Sequence, residues 1–219
     1  MSGECDPYRE SIINRCLEKI YSQGSTSDVI MQQLMNSIDI RMMKRIIDEF
    51  QFDVNHKNNQ LIMWHCHNRK IVNMLLDYGA NPRARNDSIF LLICKHGDHD
   101  LIVRFLEMGV PVNGGRALFN AVHRQTYETI KLILDNGTDI NSIESKKALL
   151  QAAKRGDPKI FRLLLDYGVD PDIFNESINV DDENQTYVEI ANILLSYNVQ
   201  HESIFKHLAA GFSLAQWRS

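Results

Sequence analysis

The sequence predicts an all-α solenoid of stacked helix-turn-helix units, with short turns and capping helices at its ends. Three observations predict it. First, a five-residue ending recurs as Leu75-Leu76-Asp77-Tyr78-Gly79, Phe105-Leu106-Glu107-Met108-Gly109, Ile133-Leu134-Asp135-Asn136-Gly137 and Leu164-Leu165-Asp166-Tyr167-Gly168. A fifth copy, Leu194-Leu195-Ser196-Tyr197-Asn198, places Asn where the others place Gly; both residues tolerate the left-handed conformation that stops a helix. Second, the last residue of the ending returns at intervals of 30, 28, 31 and 30 residues, the self-similarity of a repeat architecture. Third, two apolar stripes of helical period precede each ending.

Taken in order, Asp6-Pro7 opens a helix, and Ile12, Ile13, Cys16, Leu17, Ile20 and Tyr21 give it one apolar face, closed by Gly24. Residues 1–28 form the N-terminal capping helix of this reading. About six repeats fill residues 29–200, the first and the sixth degenerate. The first ends on Ile46-Ile47-Asp48-Glu49-Phe50 and leaves through Phe52-Asp53-Val54-Asn55. The next blocks open at Asn58, Ser88, Arg116, Lys147 and Ser177 and keep a constant length to the terminal Gly or Asn. Helix length is set by packing against neighbours, whereas a surface turn varies cheaply. Phe90, Ile93 and Cys94, then Gly97, then Leu101, Ile102, Phe105 and Leu106 show the pattern in full. Leu149, Ala152 and Ala153, then Gly156, then Ile160, Phe161, Leu164 and Leu165 repeat it. Leu106, Leu134 and Leu165 share one second-helix position and are expected to be nearly fully buried. In the sixth repeat Asp182 and Glu183 replace the two alanines, and unpaired carboxylates cannot sit at an inner packing position. Residues 201–219 provide the C-terminal cap, with Phe212, Leu214 and Trp217 to fold over the last repeat. Residues 1–219 thus read as a single domain.

Composition agrees. With 44% hydrophobic and 24% charged residues the chain can bury a core, which excludes intrinsic disorder. The four cysteines show no C-x-x-C spacing and read as thiols of a reducing compartment. No signal core follows the polar N-terminus, and no apolar run approaches the roughly 18–20 residues of a membrane span. An intracellular, soluble protein is expected, with cytoplasm and nucleus indistinguishable.

The unit resembles an ankyrin repeat. Ile130-Lys131-Leu132-Ile133-Leu134-Asp135-Asn136-Gly137-Thr138-Asp139-Ile140-Asn141 is similar to that family's second-helix ending and "GADVN" exit. The family's opening "TPLH" box is replaced by Ser88-Ile89-Phe90-Leu91, Arg116-Ala117-Leu118-Phe119 and Lys147-Ala148-Leu149-Leu150, and the short turns leave little room for projecting hairpins. Repeats this short resemble those of giant DNA viruses of amoebae. The resemblance implies a protein-protein interaction scaffold, without enzymatic activity or cofactor, that docks its partner on turn tips and first helices of a concave face. It also implies that Asn55 or Asn141 is a position open to hydroxylation.

Little points to chemistry. Trp64-His65-Cys66-His67 is followed one repeat later by Cys94, His96 and His99, but neighbours on a helix diverge by about 100°, too far to converge on zinc. Trp64 and Cys94 are read as the same inner packing position, and His67 as a helix stop. No metal site is assigned. No nucleophile motif, H-E-x-x-H or phosphate loop is present, and Gly114-Gly115 reads as a turn. Asp181-Asp182-Glu183 reads as a solvated acidic loop.

Charge is more informative. Residues 163–205 contain nine acids and no Lys or Arg. Arg83, Arg85, Arg116, Lys146 and Lys147 fall in turns or at first-helix openings, and His123, Arg124, Lys154 and Arg155 near first-helix ends. These nine are the candidate partner-binding residues, facing a protein with an acidic surface. Alternatives are an adaptor recruiting a substrate to a ubiquitin ligase, for which only about 20 residues follow the last repeat, or a nucleic-acid or nucleotide binder on the basic stripe, with few aromatics to stack on. Self-association of the acidic end with the basic stripe of a second copy is also open. The damaged sixth repeat yields the first prediction: residues 177–186 exchange amide hydrogens faster than residues 147–156, as read by hydrogen-exchange mass spectrometry, and equal protection means a regular helix there.

Overall fold

The structure, a computed structural model, describes residues 7–124, 126–171 and 185–197. Helices follow one another as α1 Pro7–Ser22, α2 Ser27–Asn36, α3 Ile40–Phe50, α4 His56–Trp64, α5 Arg69–Asp77, α6 Ser88–His96 and α7 His99–Glu107. A 3-10 turn Asn113–Gly115 leads into α8 Arg116–Val122, α9 Tyr127–Asp135, α10 Ile143–Arg155, α11 Pro158–Asp166 and α12 Gln185–Ser196. No strand occurs among the described residues. The fold is of the expected all-α solenoid class, with helix pairs α2/α3 and α4/α5 and the capping α1 against α2 and α3 in one stretch of the chain, and pairs α8/α9 and α10/α11 in another. The contacts cluster into two compact units, Met1–Ile93 and Cys94–Ser219. The C-terminal cap and residues 177–184 of the sixth repeat, where a loop or displaced helix is expected, lie outside the described residues.

Each second helix starts and stops in the same way. A short polar side chain caps it: Asp39, Asn68, Asp98, Thr126 and Asp157 accept from amides of the first turn of α3, α5, α7, α9 and α11, satisfying donors that the helix cannot. Gly79, Gly109, Gly137 and Gly168 then take φ between +79° and +87°. In α5, α7 and α11 the amide of the residue after the glycine returns to a carbonyl five residues back: Ala80 to Leu75, Val110 to Phe105 and Val169 to Leu164. This is the double-bonded stop that needs a left-handed residue. At Gly137 the Thr138 hydroxyl donates to the Ile133 carbonyl at 2.8 Å instead. The degenerate first repeat achieves the turn with Gln51 at φ 45°.

The residues whose carbonyls accept these bonds, Leu75, Phe105, Ile133 and Leu164, are 0% exposed. The position expected to be nearly fully buried lies one residue later, where Leu134 and Leu165 are 5% and 6% exposed but Leu106 is only half-buried. A step of about 100° carries it to the edge of the buried stripe. The face of α1 is also narrower than expected. Ile13, Leu17 and Ile20 are buried, while Ile12 and Tyr21 are exposed; Tyr21 packs its ring 5.0 Å from Phe50 and donates to Glu49 at 2.8 Å.

First helices are less uniform. Lys57, Asn58 and Asn59 take φ of 50°, 55° and 62°, and Arg85, Asn86 and Asp87 take 56°, 55° and 61°. In the following repeat Gly114 and Gly115 do the same, at 63° and 72°. Each time a short left-handed turn precedes the helix proper. Its rotation overturns the expected role of Trp64, which is 55% exposed while His65, Cys66, Leu61 and Ile62 are buried. Cys94 is buried as expected. The fifth repeat dispenses with the left-handed turn: Ser142 caps α10 by accepting from the Ser145 amide, so the helix opens at Ile143, one turn ahead of the expected Lys147.

A polar ladder runs along the second-helix endings. Tyr78 donates to Asp48 at 3.0 Å, Tyr167 to Asp135 and Tyr197 to Asp166, each a phenol reaching the aspartate of the preceding repeat. These bonds hold the Tyr167 and Tyr197 phenols above the ordinary tyrosine range. Where Asn136 stands in place of Tyr, its amide caps its own helix at the Leu132 carbonyl, 2.8 Å away. The burial order yields a prediction. Ile133→Ala costs about 2–5 kcal/mol, as a fully packed aliphatic does, and Leu106→Ala costs less than half as much; urea midpoints of the two variants check the order.

Candidate partner-binding face

Seven of the nine predicted residues belong to the second unit, on α8, α10 and their ends. These two helices lie side by side. A Cβ on Gly115 would stand 2.2 Å from the Ser142 hydroxyl and 2.5 Å from that of Ser145, so only glycine lets the start of α8 approach the start of α10. At the other end the Arg155 guanidinium donates to the Val122 carbonyl. The helices are therefore parallel, in contact between residues 27 to 33 positions apart, an interval that brackets the 31-position offset of the repeat. Burial repeats at that interval. Ala117, Leu118, Ala121 and Val122 are buried, as are Ala148, Leu149, Ala152 and Ala153. Phe119 and Asn120 are half-buried, as are Leu150 and Gln151. Arg116, His123 and Arg124 are exposed, as are Lys147, Lys154 and Arg155. The alanines admit close helix approach, and the arginines and lysines remain exposed.

The predicted residues differ in what their side chains do. Arg116, Arg124 and Lys147 are exposed and hold no ion pair among the described residues. His123 sets its ring edge-on to Phe119, with centroids 5.7 Å apart. Lys146 lies within the first turn of α10, not in a turn before it, and pairs with Asp170. Arg155 is engaged by the Val122 carbonyl, which accepts a hydrogen bond from the guanidinium but carries no formal charge to pair with it. No Asp or Glu occurs from residue 108 to 127 or from 145 to 156. The face formed by α8 and α10 is therefore cationic by composition as well as by placement.

Arg83 and Arg85 belong to the first unit, in the turn before α6. Arg83 pairs with Asp87 at 3.4 Å, one helical turn on. Arg85 points its guanidinium back at the left-handed turn of the preceding repeat, donating to the Asn58 carbonyl at 3.0 Å and that of Lys57 at 3.4 Å. Its role is to tie successive turns together. Asn55 acts likewise, donating to the Gly79 carbonyl at 3.1 Å while accepting from the Asn81 amide at 2.8 Å. Sequence reasoning treated these side chains as surface, because nothing in the one-dimensional pattern marks a contact across 24 to 28 residues.

The His/Cys cluster resolves into packing. His65 is buried, and its Nε2 donates to the Leu34 carbonyl at 3.1 Å, which fixes the Nε2-H tautomer. Burial pushes the Cys66 and Cys94 thiols up, so neither is a ready thiolate. His99 shares a 2.9 Å bond with the Thr129 hydroxyl. Among the described residues no three His, Cys, Asp or Glu side chains gather as metal ligands do.

Helix pairs with capped second helices, glycine stops and an exposed polar first-helix face define a helical-repeat binding module. The family model described as ankyrin repeats (3 copies) matches residues 89–175 and 118–210, which together span more than half of the chain. The protein belongs to the ankyrin-repeat family, whose repeats generally mediate protein-protein interaction. No curated protein matches the chain. No helix among the described residues is long and apolar enough to cross a membrane.

His65 gives this region a pH dependence. Burial holds the imidazole below its usual 6.5, so the unfolded chain binds the proton first as pH falls. The stabilisation from neutral His65 is complete above about pH 6.5 and is lost as pH drops through that value toward the folded-state pKa. His65→Gln retains a donor for Leu34, and the urea midpoint of this variant changes less between pH 7.5 and 5.5 than that of the parent chain.

Proposed function

We propose that this ankyrin-repeat protein is a binding scaffold whose second unit docks an acidic partner protein on the α8/α10 face. The observation that supports the reading is that Arg116, Arg124, Lys147 and Lys154 are exposed on two packed helices and their ends, with no carboxylate from residue 108 to 127 or from 145 to 156. A rigid surface of this kind loses little ordering entropy on binding, and a one-sign patch steers a complementary partner. Arg124 and Lys154 extend the patch at the helix ends. A nucleic-acid ligand is less well matched, because single strands stack on exposed aromatics and Phe119 is half-buried. The short repeat interval supports reading the chain as one of the amoebal giant-virus type, whose partner would be a host protein.

The test reverses two charges at the rim. Arg116→Glu with Lys147→Glu leaves the thermal midpoint close to that of the parent chain, since both side chains are solvated. It weakens partner capture, and capture by the parent chain falls as salt rises and the Debye length shrinks to about 8 Å at 0.15 M. A captured set that is the same for both proteins at every salt concentration removes the α8/α10 face as the docking surface.

A further inference from the structure

One end of the first unit carries apolar side chains that its own packing leaves in solvent, and it is independent of the α8/α10 face. Ile38, between α2 and α3, is 81% exposed, and Trp64, the last residue of α4, is 55% exposed. The bond from His65 Nε2 to the Leu34 carbonyl at 3.1 Å ties the end of α4 to the end of α2. The two apolar tips therefore share one end of the packed α2/α4 pair. Tyr8, 74% exposed, is brought to the same end by α1. That helix packs on both α2 and α3, with Tyr21 against Phe50, the last residue of α3, and Ile13 still buried two turns farther back. Tyr8 stands 13 residues before Tyr21, about 20 Å of helix. Asp39 stands 11 before Phe50, about 17 Å, so α1 and α3 open at nearly the same height.

The second helices α3 and α5 start at this end, and they make it positive. Arg41 and Lys44 on the one and Arg69 and Lys70 on the other are exposed. Asp39 spends its carboxylate on the Arg41 and Met42 amides, at 2.8 and 3.2 Å. Glu10, in the first turn of α1, is half-buried, and no Asp or Glu occurs from residue 54 to 76. A helix N-terminus is already the positive end of the peptide dipole, so acids in the first turn stabilise it and cations do the reverse. α7 and α9 follow that rule with Asp100 and Glu128. α3 and α5 have no acid in the first turn and carry Arg41, Arg69 and Lys70 there instead. Local helix stability is sacrificed at both, and the end gains positive potential.

We propose that this end of the first unit attaches peripherally to an anionic membrane surface. Ile38, Trp64 and Tyr8 enter the interfacial layer, and Arg41, Lys44 and Lys70 meet the anionic headgroups. Two features select a bilayer over other anionic occupants. The apolar side chains project singly from three separate elements, whereas a protein partner uses a contiguous apolar patch. A bilayer interface takes up Trp and Tyr one at a time, apolar body inward and polar tip outward. Single-stranded nucleic acid would stack on Trp64 but gives Ile38, the most exposed of the three, nothing to do. Cations flanking apolar tips are the combination that holds amphipathic segments at an anionic leaflet, and such attachment needs no membrane-spanning helix.

The experiment is co-sedimentation of the full chain with vesicles of phosphatidylcholine alone or with about one-third phosphatidylserine. The parent chain binds the phosphatidylserine vesicles about tenfold more tightly, and rising salt weakens that binding. Ile38→Asn with Trp64→Ser lowers it about tenfold, and Arg41→Glu with Lys44→Glu removes the preference for phosphatidylserine. The thermal midpoint of the first variant stays near that of the parent chain. That of the second stays or rises, because Glu replaces a cation in the first turn of α3. Trp64 and Trp217 are the two tryptophans, so in a Trp217→Phe background the emission of Trp64 shifts to the blue when phosphatidylserine vesicles are added. Equal binding to both vesicles, or binding to neither, overturns the proposal. Binding that leaves Trp64 emission unchanged and is untouched by Ile38→Asn with Trp64→Ser is adsorption by charge alone and overturns it as well. So does a thymidine oligonucleotide that competes the chain off the vesicles and depends on Trp64 for its own binding.

Discussion

The stop at the end of each second helix is the constraint on which the repeat depends. A glycine near φ +80° turns the chain, and the next residue is drawn under the helix to bond a carbonyl of its last turn or, at Thr138, to do so through its hydroxyl. That one exchange fixes which residue is deepest in the core, because the acceptor carbonyl and the buried side chain belong to the same residue. It also aims the chain at the next first helix. A Cβ at such a backbone angle is strained, and among the described endings Gln51, in the degenerate first repeat, is the residue that takes the turn without being glycine.

The period, the helix pairs and the buried stripes were legible in the sequence because they rest on local properties: apolar spacing and a residue that tolerates positive φ. What was not legible depended on rotation. Three left-handed residues in the first turn of α4 turn Trp64 out and His65 in, and no apolar count distinguishes the two outcomes. Lys57, unlike Asn58 and Asn59, is not a residue type that signals such a turn. Ser142 and Ser145 likewise lengthen α10 by a cap that the register, counted back from Gly168, had no reason to include. Asp39, Asn68, Asp98, Thr126 and Asp157 were readable in retrospect, since each stands one residue before its helix.

The predicted binding residues divide according to what else their side chains do. Arg85 holds a backbone turn, Lys146 meets Asp170, and Arg155 meets a carbonyl. Arg116, Arg124 and Lys147 are left at the rim by the same alanine packing that draws α8 and α10 together. Charge along the chain identified the cationic region, and the packing of α8 against α10 puts its two stretches on neighbouring helices. Phe119 fits a core position by periodicity, whereas it is only half-buried and its ring lies beside His123.

The tyrosine-aspartate ladder has a direction. Each complete second-helix ending presents an aspartate to the repeat that follows and sends a phenol to the one before, so the two valences point opposite ways. A repeat carrying both can be copied in tandem and every new junction is satisfied, whereas one lacking the phenol, such as that ending in Asn136, caps itself and makes no claim on its predecessor. The array therefore grows by duplication with no new contact to invent, and a gain or loss of one tyrosine marks where neighbouring repeats are free to diverge.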